Sequence, residues 1–198
     1  MPRDTLDTQR SMKGRELLIG VTGGIAAYKV ADLVSKCVQA GARVSVILTR
    51  SARKFIGRTT FEALTGRPVY GDMFRPREHF FGEHIVLADR AELYLIAPAT
   101  ADTLARLAHG HADDLLTLSA LTFTGPVLIA PAMNCDMWAK PAVARNVAQL
   151  RADGLEIIEP DEGWLSCGKV GPGRMASVER LFDAVRRRLE SLPPKSTG

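Results

Sequence analysis

The strongest constraint on the fold lies between Leu17 and Leu48. Leu17-Leu18-Ile19-Gly20-Val21-Thr22 is too short and too evenly apolar for an amphipathic helix, and reads as a strand covered on both faces. Gly23-Gly24 follows, and then Ala27, Val30, Ala31, Val34 and Val38 recur at helical spacing until Gly41 stops the helix. Arg43 to Leu48 is a second apolar run, which completes a strand, helix and strand whose crossover should be right-handed. The pattern returns at Leu93 to Ala97 and at Val127 to Ala130. A doubly wound α/β parallel sheet is the expectation.

Such sheets bind ligands in the crevice outside the carboxyl ends of their strands. Polar residues just beyond each run are therefore the candidates. Asn134 follows the Val127–Ala130 run through Pro131-Ala132-Met133, as either a substrate contact or a turn residue. Thr100-Ala101-Asp102-Thr103 follows the Leu93 run, with Asp102 a helix cap or a ligand contact. After the second strand stands Thr49-Arg50-Ser51, where a dinucleotide site would need a carboxylate for the ribose. Gly23-Gly24 also fails the G-x-G-x-x-G pattern. Two hydroxyls, a cation and a helix start suit the phosphate of a mononucleotide such as FMN, or else simply cap a helix.

Further along, a helix is expected at Thr60 to Leu64, a brief strand at Pro68 to Tyr70, and a helix start at Asp113-Asp114. His84 opens the apolar segment Ile85-Val86-Leu87 and is structural or catalytic. Helices at Ala142 to Leu150 and Val178 to Leu189 flank a final strand at Leu155 to Ile158. Between them, Gly163 to Met175 reads as a mobile glycine-rich loop that carries Cys167, and long ordered loops of that kind often cover active sites.

Composition narrows the class. With 198 residues, 46% hydrophobic and 24% charged, the chain fits one soluble domain with a full core. The net charge of +4 is scattered, with short basic runs at Arg50 to Arg58 and Arg186 to Arg188, so no nucleic-acid partner is expected. Three cysteines without paired spacing argue against a disulfide framework or any metal site. Nothing approaches the ~20 apolar residues of a membrane span, and no secretory signal opens the chain, so a cytoplasmic protein with no membrane association is expected. The expected organisation is a flexible segment over 1–14, one domain over 15–190 and a disordered tail over 191–198.

Five stretches together carry a family resemblance: Val21 to Lys29, His84-Ile85, Ala97 to Thr103, Pro131-Ala132-Met133-Asn134, and Cys167-Gly168 with Gly171 to Met175. From about Gly14 to Leu189 the chain resembles the phosphopantothenoylcysteine decarboxylases, within the homo-oligomeric flavin-containing cysteine decarboxylases. The resemblance implies a three-layer Rossmann-like, flavodoxin-like fold, assembly as a trimer or dodecamer, and FMN near subunit interfaces. It implies FMN contacts at Gly23, Gly24, Ile25, Thr49, Arg50, Ser51, Thr100, Ala101, Asp102, Thr103 and Ala132. His84 would be the catalytic histidine, Asn134 the ligand of the substrate carboxylate and Cys167 the proton donor, with Met133, Ser166 and Gly168 also touching substrate.

The implied chemistry has a clear need for such groups. Direct loss of CO2 from an N-acylated cysteine leaves a carbanion with nothing to accept its charge, whereas prior oxidation to a thioaldehyde gives it a sink. The implied reaction converts 4′-phosphopantothenoylcysteine to 4′-phosphopantetheine for coenzyme A synthesis, with a separate phosphopantothenate–cysteine ligase supplying the substrate. Three other readings share the fold: a peptidyl-cysteine decarboxylase, a flavin prenyltransferase, and a binding subunit that regulates a phosphatase. Cys167 argues against the first, the Pro131–Asn134 stretch against the second, and His84 against the third.

Overall fold

The structure is a computed structural model that describes residues 12–75, 77–78, 82–193 and 195. Most of the expected flexible N-terminal segment and part of the expected disordered tail lie outside these residues. Met12, however, is fully buried and its amide donates to Ala40 O at 3.0 Å, and Lys195 Nζ donates to the carbonyls of Asp89 and Ala91.

Six parallel strands form one sheet in the order β3-β2-β1-β4-β5-β6. They are β1 (Glu16–Val21), β2 (Arg43–Leu48), β3 (Val69–Tyr70), β4 (Leu93–Ala99), β5 (Val127–Pro131) and β6 (Glu156–Ile157). The chain starts in the middle at β1, winds outward to β3, then crosses back to β4 and winds the other way, so the switch point falls between β1 and β4. This is the doubly wound α/β arrangement expected.

Successive residues of each strand feed opposite cores. Ile19 and Val21 face α1 (Ala27–Gln39) and α8 (Val178–Glu190), meeting Val30, Leu33, Leu181 and Val185. Leu18 faces the other layer, built from α3 (Glu83–Arg90), α4 (Ala101–Ala108), α5 (Leu115–Thr122) and α7 (Pro141–Ala152). A short helix, α2 (Arg58–Thr65), adds Phe61 to the first core. Gly20 has a packing reason: a Cβ there would stand 2.8 Å from both Leu116 Cδ1 and Tyr94 Oη.

The two ends of the sheet serve different purposes. At the amino ends, half-buried ion pairs tie strands together, Arg67 to Glu16 at 2.7 Å and Arg15 to Glu92 at 2.7 Å. At the carboxyl ends, Thr22 Oγ1 donates to Pro98 O at 2.6 Å and accepts from Thr100 N–H at 3.2 Å, holding the mouths of β1 and β4 side by side.

Two expectations need correction. The strand expected at Leu155 to Ile158 is β6, an edge strand, but it is not the last. The glycine-rich stretch read as a loop is an antiparallel hairpin of β7 (Asp161–Trp164) and β8 (Val170–Arg174), closed by a turn in which Gly168 N–H donates to Leu165 O. Its outward face is open, with Trp164 66% and Val170 76% exposed, and its inward face presents glycines, Gly171 and Gly173, against the Met133–Cys135 segment, so no alternation of apolar and polar residues betrays it.

Candidate active site

Two cavities open at the carboxyl ends of the strands, one on each side of the β1–α1 turn. The larger, about 670 Å³, lies over β1, β2 and β4 and is lined by Gly23, Thr49 to Ser51 and Thr100 to Thr103. Its walls follow from local structure. Thr49 Oγ1 accepts from Ala52 N–H at 3.1 Å, starting a 3-10 turn over Ala52–Lys54 that leaves Arg50 and Ser51 exposed. Thr100 caps α4, its hydroxyl accepting from Thr103 N–H at 3.2 Å and meeting Thr103 Oγ1 at 2.9 Å. Gly23 lies so close that an added Cβ would stand 2.5 Å from Ser51 Cβ. Asp102 does not cap the helix; its carboxylate faces Arg106 at 3.0 Å.

The smaller cavity, about 450 Å³, is walled by the β1–α1 turn (Gly24, Ile25), by Ala132, Met133 and Asn134 beyond β5, and by the hairpin with Ser166 and Cys167. Asn134 is the N-cap of α6 (Cys135–Trp138): its Oδ1 accepts from Asp136 N–H at 2.7 Å. Spending the amide oxygen on the cap turns Nδ2 outward, and that group donates to Cys167 Sγ at 3.1 Å. The hairpin reaches this place because Met133 N–H donates to Gly173 O at 2.9 Å, and because Leu165 and Met175 are buried beneath it.

The thiols differ in acidity. The Lys169 backbone amide above all, and the Asn134 amide after it, hold the exposed Cys167 thiol below its ordinary range. Burial pushes the Cys37 thiol of α1 up to about 12. The exposed Lys169 ammonium pairs with Asp136, across from the hairpin turn.

The structure thus brings Gly24, Ile25, Ala132, Met133, Asn134, Ser166 and Cys167 to one cavity, and Gly23 with the two hydroxyl-bearing loops to the other. Gly168 sits in the hairpin turn beside them. His84 is different: it lies half-buried at the start of α3 and lines neither cavity. Sequence reasoning passed over Lys29, Trp164 and Arg174 in the smaller cavity and Arg106 in the larger. Lys29 and Arg174 sat within the motif stretches, and a cation beside a ligand loop was the signal available.

Residues 5–190 match the profile of a family described as Flavoprotein. The chain belongs to the Flavoprotein family. Among relatives, it is 49% identical over 170 residues to the coenzyme A biosynthesis bifunctional protein CoaBC of Bacillus subtilis strain 168, covering 86% of this chain and 42% of that one. The chain therefore spans less than half the length of that relative. Among solved structures, a PPC decarboxylase variant complexed with pantothenoylaminoethenethiol superposes with a TM-score of 0.82 at 30% identity, covering 90% of this chain and all of that one. The FMN-dependent cysteine decarboxylase SpaF superposes at 0.78 with 35% identity, covering 91% and 97%. These family structures share the fold described above, including the three-layer arrangement expected.

Proposed function

We propose that the protein is an FMN-dependent phosphopantothenoylcysteine decarboxylase acting in coenzyme A synthesis in the cytoplasm. The observation that carries this is the Asn134 amide held at 3.1 Å from the Cys167 thiol in a cavity next to a mononucleotide-sized one. The relatives' names supply the reaction: CoaBC belongs to coenzyme A biosynthesis, and the superposed structures are named as a PPC decarboxylase and an FMN-dependent cysteine decarboxylase. No helix among the described residues is long and apolar enough to cross a membrane.

The residues present fit FMN. Gly23, where a side chain would strike Ser51, lets backbone approach closely, and Thr49, Arg50, Ser51 and the Thr100–Thr103 cap offer hydroxyls, a guanidinium and backbone amides to a phosphate and a ribityl chain. Gly24, Ile25, Ala132 and Met133 offer an uncharged wall for a ring system. When bound, FMN supplies the reversible two-electron oxidation that makes the substrate's Cβ–S unit an electron sink.

The chain's own groups do the rest. Asn134 Nδ2 donates to the substrate carboxylate and orients it without adding charge. Cys167, with its thiol acidity raised by two amide donors, returns a proton to the ene-thiolate carbon after CO2 leaves. The hairpin that carries it sets the thiol across the cavity from Asn134. His84 serves as base or electrostatic partner for the substrate thiol, and because it lines neither cavity of its own chain, a second protomer would deliver it. Ile25 and Tyr28 at the cavity rim and Ile85 beside His84 are exposed apolar residues that assembly as a trimer or dodecamer would cover. A phosphopantothenate–cysteine ligase supplies the substrate. Cys167 favours complete turnover over release of an ene-thiol, the product expected of a peptidyl-cysteine decarboxylase.

The test is to purify the protein, record its visible spectrum and incubate it with 4′-phosphopantothenoylcysteine under mass-spectrometric detection. A yellow protein that releases CO2 and 4′-phosphopantetheine bears the reading out. A yellow protein inert to this substrate, but active on a peptidyl cysteine, overturns it.

A further inference from the structure

Lys29 and Arg174 line the same cavity as Asn134 and Cys167, Lys29 from the first turn of α1 and Arg174 from the end of β8. Among the described residues, neither side chain forms an ion pair or donates a hydrogen bond. They act on each other: partial burial, and after it the Arg174 charge, push the Lys29 ammonium down. Asp161 attracts Lys29, but its carboxylate is already engaged, by Arg180 on one oxygen and by Ser177 N–H at 2.9 Å on the other. The setting compounds the repulsion. The first turn of α1 has no acidic residue and no side-chain cap, so Lys29 stands at the positive end of the helix dipole.

Two unpaired cations and a helix amino end in one cavity weaken the protein by itself and favour an entering anion. We propose that Lys29 and Arg174 form the subsite for the phosphate monoester of the substrate. This rests on the decarboxylase reading, in which Asn134 holds the carboxylate and the reacting thiol lies by Cys167. The ligand's other charged end is then what the cation pair takes. A planar guanidinium beside a point-charge ammonium suits a tetrahedral dianion, with bidentate contact from Arg174 and screening by Lys29. Lys29 and Arg174 would act in recognition, and their contribution is to binding of the phosphorylated ligand over its unphosphorylated analogue.

The test uses the FMN-loaded protein under reducing conditions and compares the affinities of 4′-phosphopantetheine and pantetheine by calorimetry. The expected result is a preference for the phosphorylated ligand of roughly tenfold or more in the wild type. That preference should collapse toward parity in Lys29→Gln and in Arg174→Gln, and largely survive in Lys29→Arg. Variants are compared at equal FMN content, and the wild-type comparison requires no variant. Parity in the wild type, or a preference that survives both glutamine variants, overturns the subsite. Decarboxylation of 4′-phosphopantothenoylcysteine, followed separately, tells the two failures apart: turnover without phosphate preference removes the subsite alone, and preference without turnover removes the decarboxylase reading alone.

Discussion

Asn134 shows how a local backbone requirement becomes a chemical one. Its Oδ1 is occupied by the cap of α6, so the amide cannot rotate freely and only its N–H donors face the cavity. The Cys167 thiol that receives one of them should therefore be the reactive cysteine of the chain. Iodoacetamide should alkylate Cys167 well before Cys37, whose buried thiol ionises only near the far alkaline end. The lowered thiol pKa sets the sign of the pH effect: the alkylation rate of Cys167 should rise with pH at values below the ordinary thiol range. Replacing Asn134 with Ala should move that rise to higher pH, because a donor that favours the thiolate is gone; mass-resolved labelling across pH checks it. Gly23 is the other residue on which much depends. Gly23→Ala should weaken FMN binding by about tenfold or more, since overpacking of this kind costs roughly 1–3 kcal/mol, while far-UV circular dichroism stays unchanged. Retention of stoichiometric FMN through gel filtration would show that the turn tolerates the methyl.

At the scale of elements, the β7–β8 hairpin completes the smaller cavity. Its attachment runs through Gly173, whose φ of +128° and whose approach to Met133 O, 2.4 Å from where a Cβ would be, leave no room for a side chain. Gly173→Ala should lower stability by about 1–3 kcal/mol, speed hydrogen exchange at the Met133 amide and raise KM, as read by a thermal melt, exchange mass spectrometry and steady-state rates. An unchanged Met133 amide would mean the hairpin is held elsewhere. This element also marks where the sequence stops being legible. Strands β1, β2, β4 and β5 announce themselves because both of their faces are buried and their residues are continuously apolar. Asn134 and the Thr100 and Thr49 loops are readable for the same reason, as polar residues immediately beyond such runs. The hairpin is open on one side and packs through glycine on the other, which gives neither a period nor a propensity to read. Lys29, Trp164 and Arg174 meet only through its seating, so no local pattern in the chain could have joined them. His84 was legible as a residue type, yet its place apart from both cavities depends on tertiary structure.

The whole molecule separates its duties along the strand axis, with the ion pairs that tie neighbouring strands together at the amino ends of the sheet and ligand cavities at the carboxyl ends. Its core also holds acids that burial keeps protonated: the Cys37 thiol and the Tyr94 hydroxyl are pushed up mainly by burial, as is Tyr70, which donates to Glu78 at 2.6 Å. Each is neutral in the folded state at a pH where the unfolded chain already loses the proton. Their contribution to stability is complete below the unfolded values of about 8.5–10 and declines as pH rises beyond them, by up to ~1.4 kcal/mol per pH unit for each group. Urea unfolding between pH 7 and 11 should show a steep alkaline loss, and Cys37→Ala should make the first part of that loss shallower. A flat profile to pH 10 would contradict the burial of these groups. The hairpin, finally, hydrogen-bonds mainly to itself and is inserted after the last strand of the sheet. Specificity is thereby partly decoupled from foldability: with the anchors Asp161, Leu165 and Gly173 kept, lineages could rewrite the exposed residues of the hairpin to accept new ligands while the sheet beneath stays as it is, and a designer could graft the segment as a cassette.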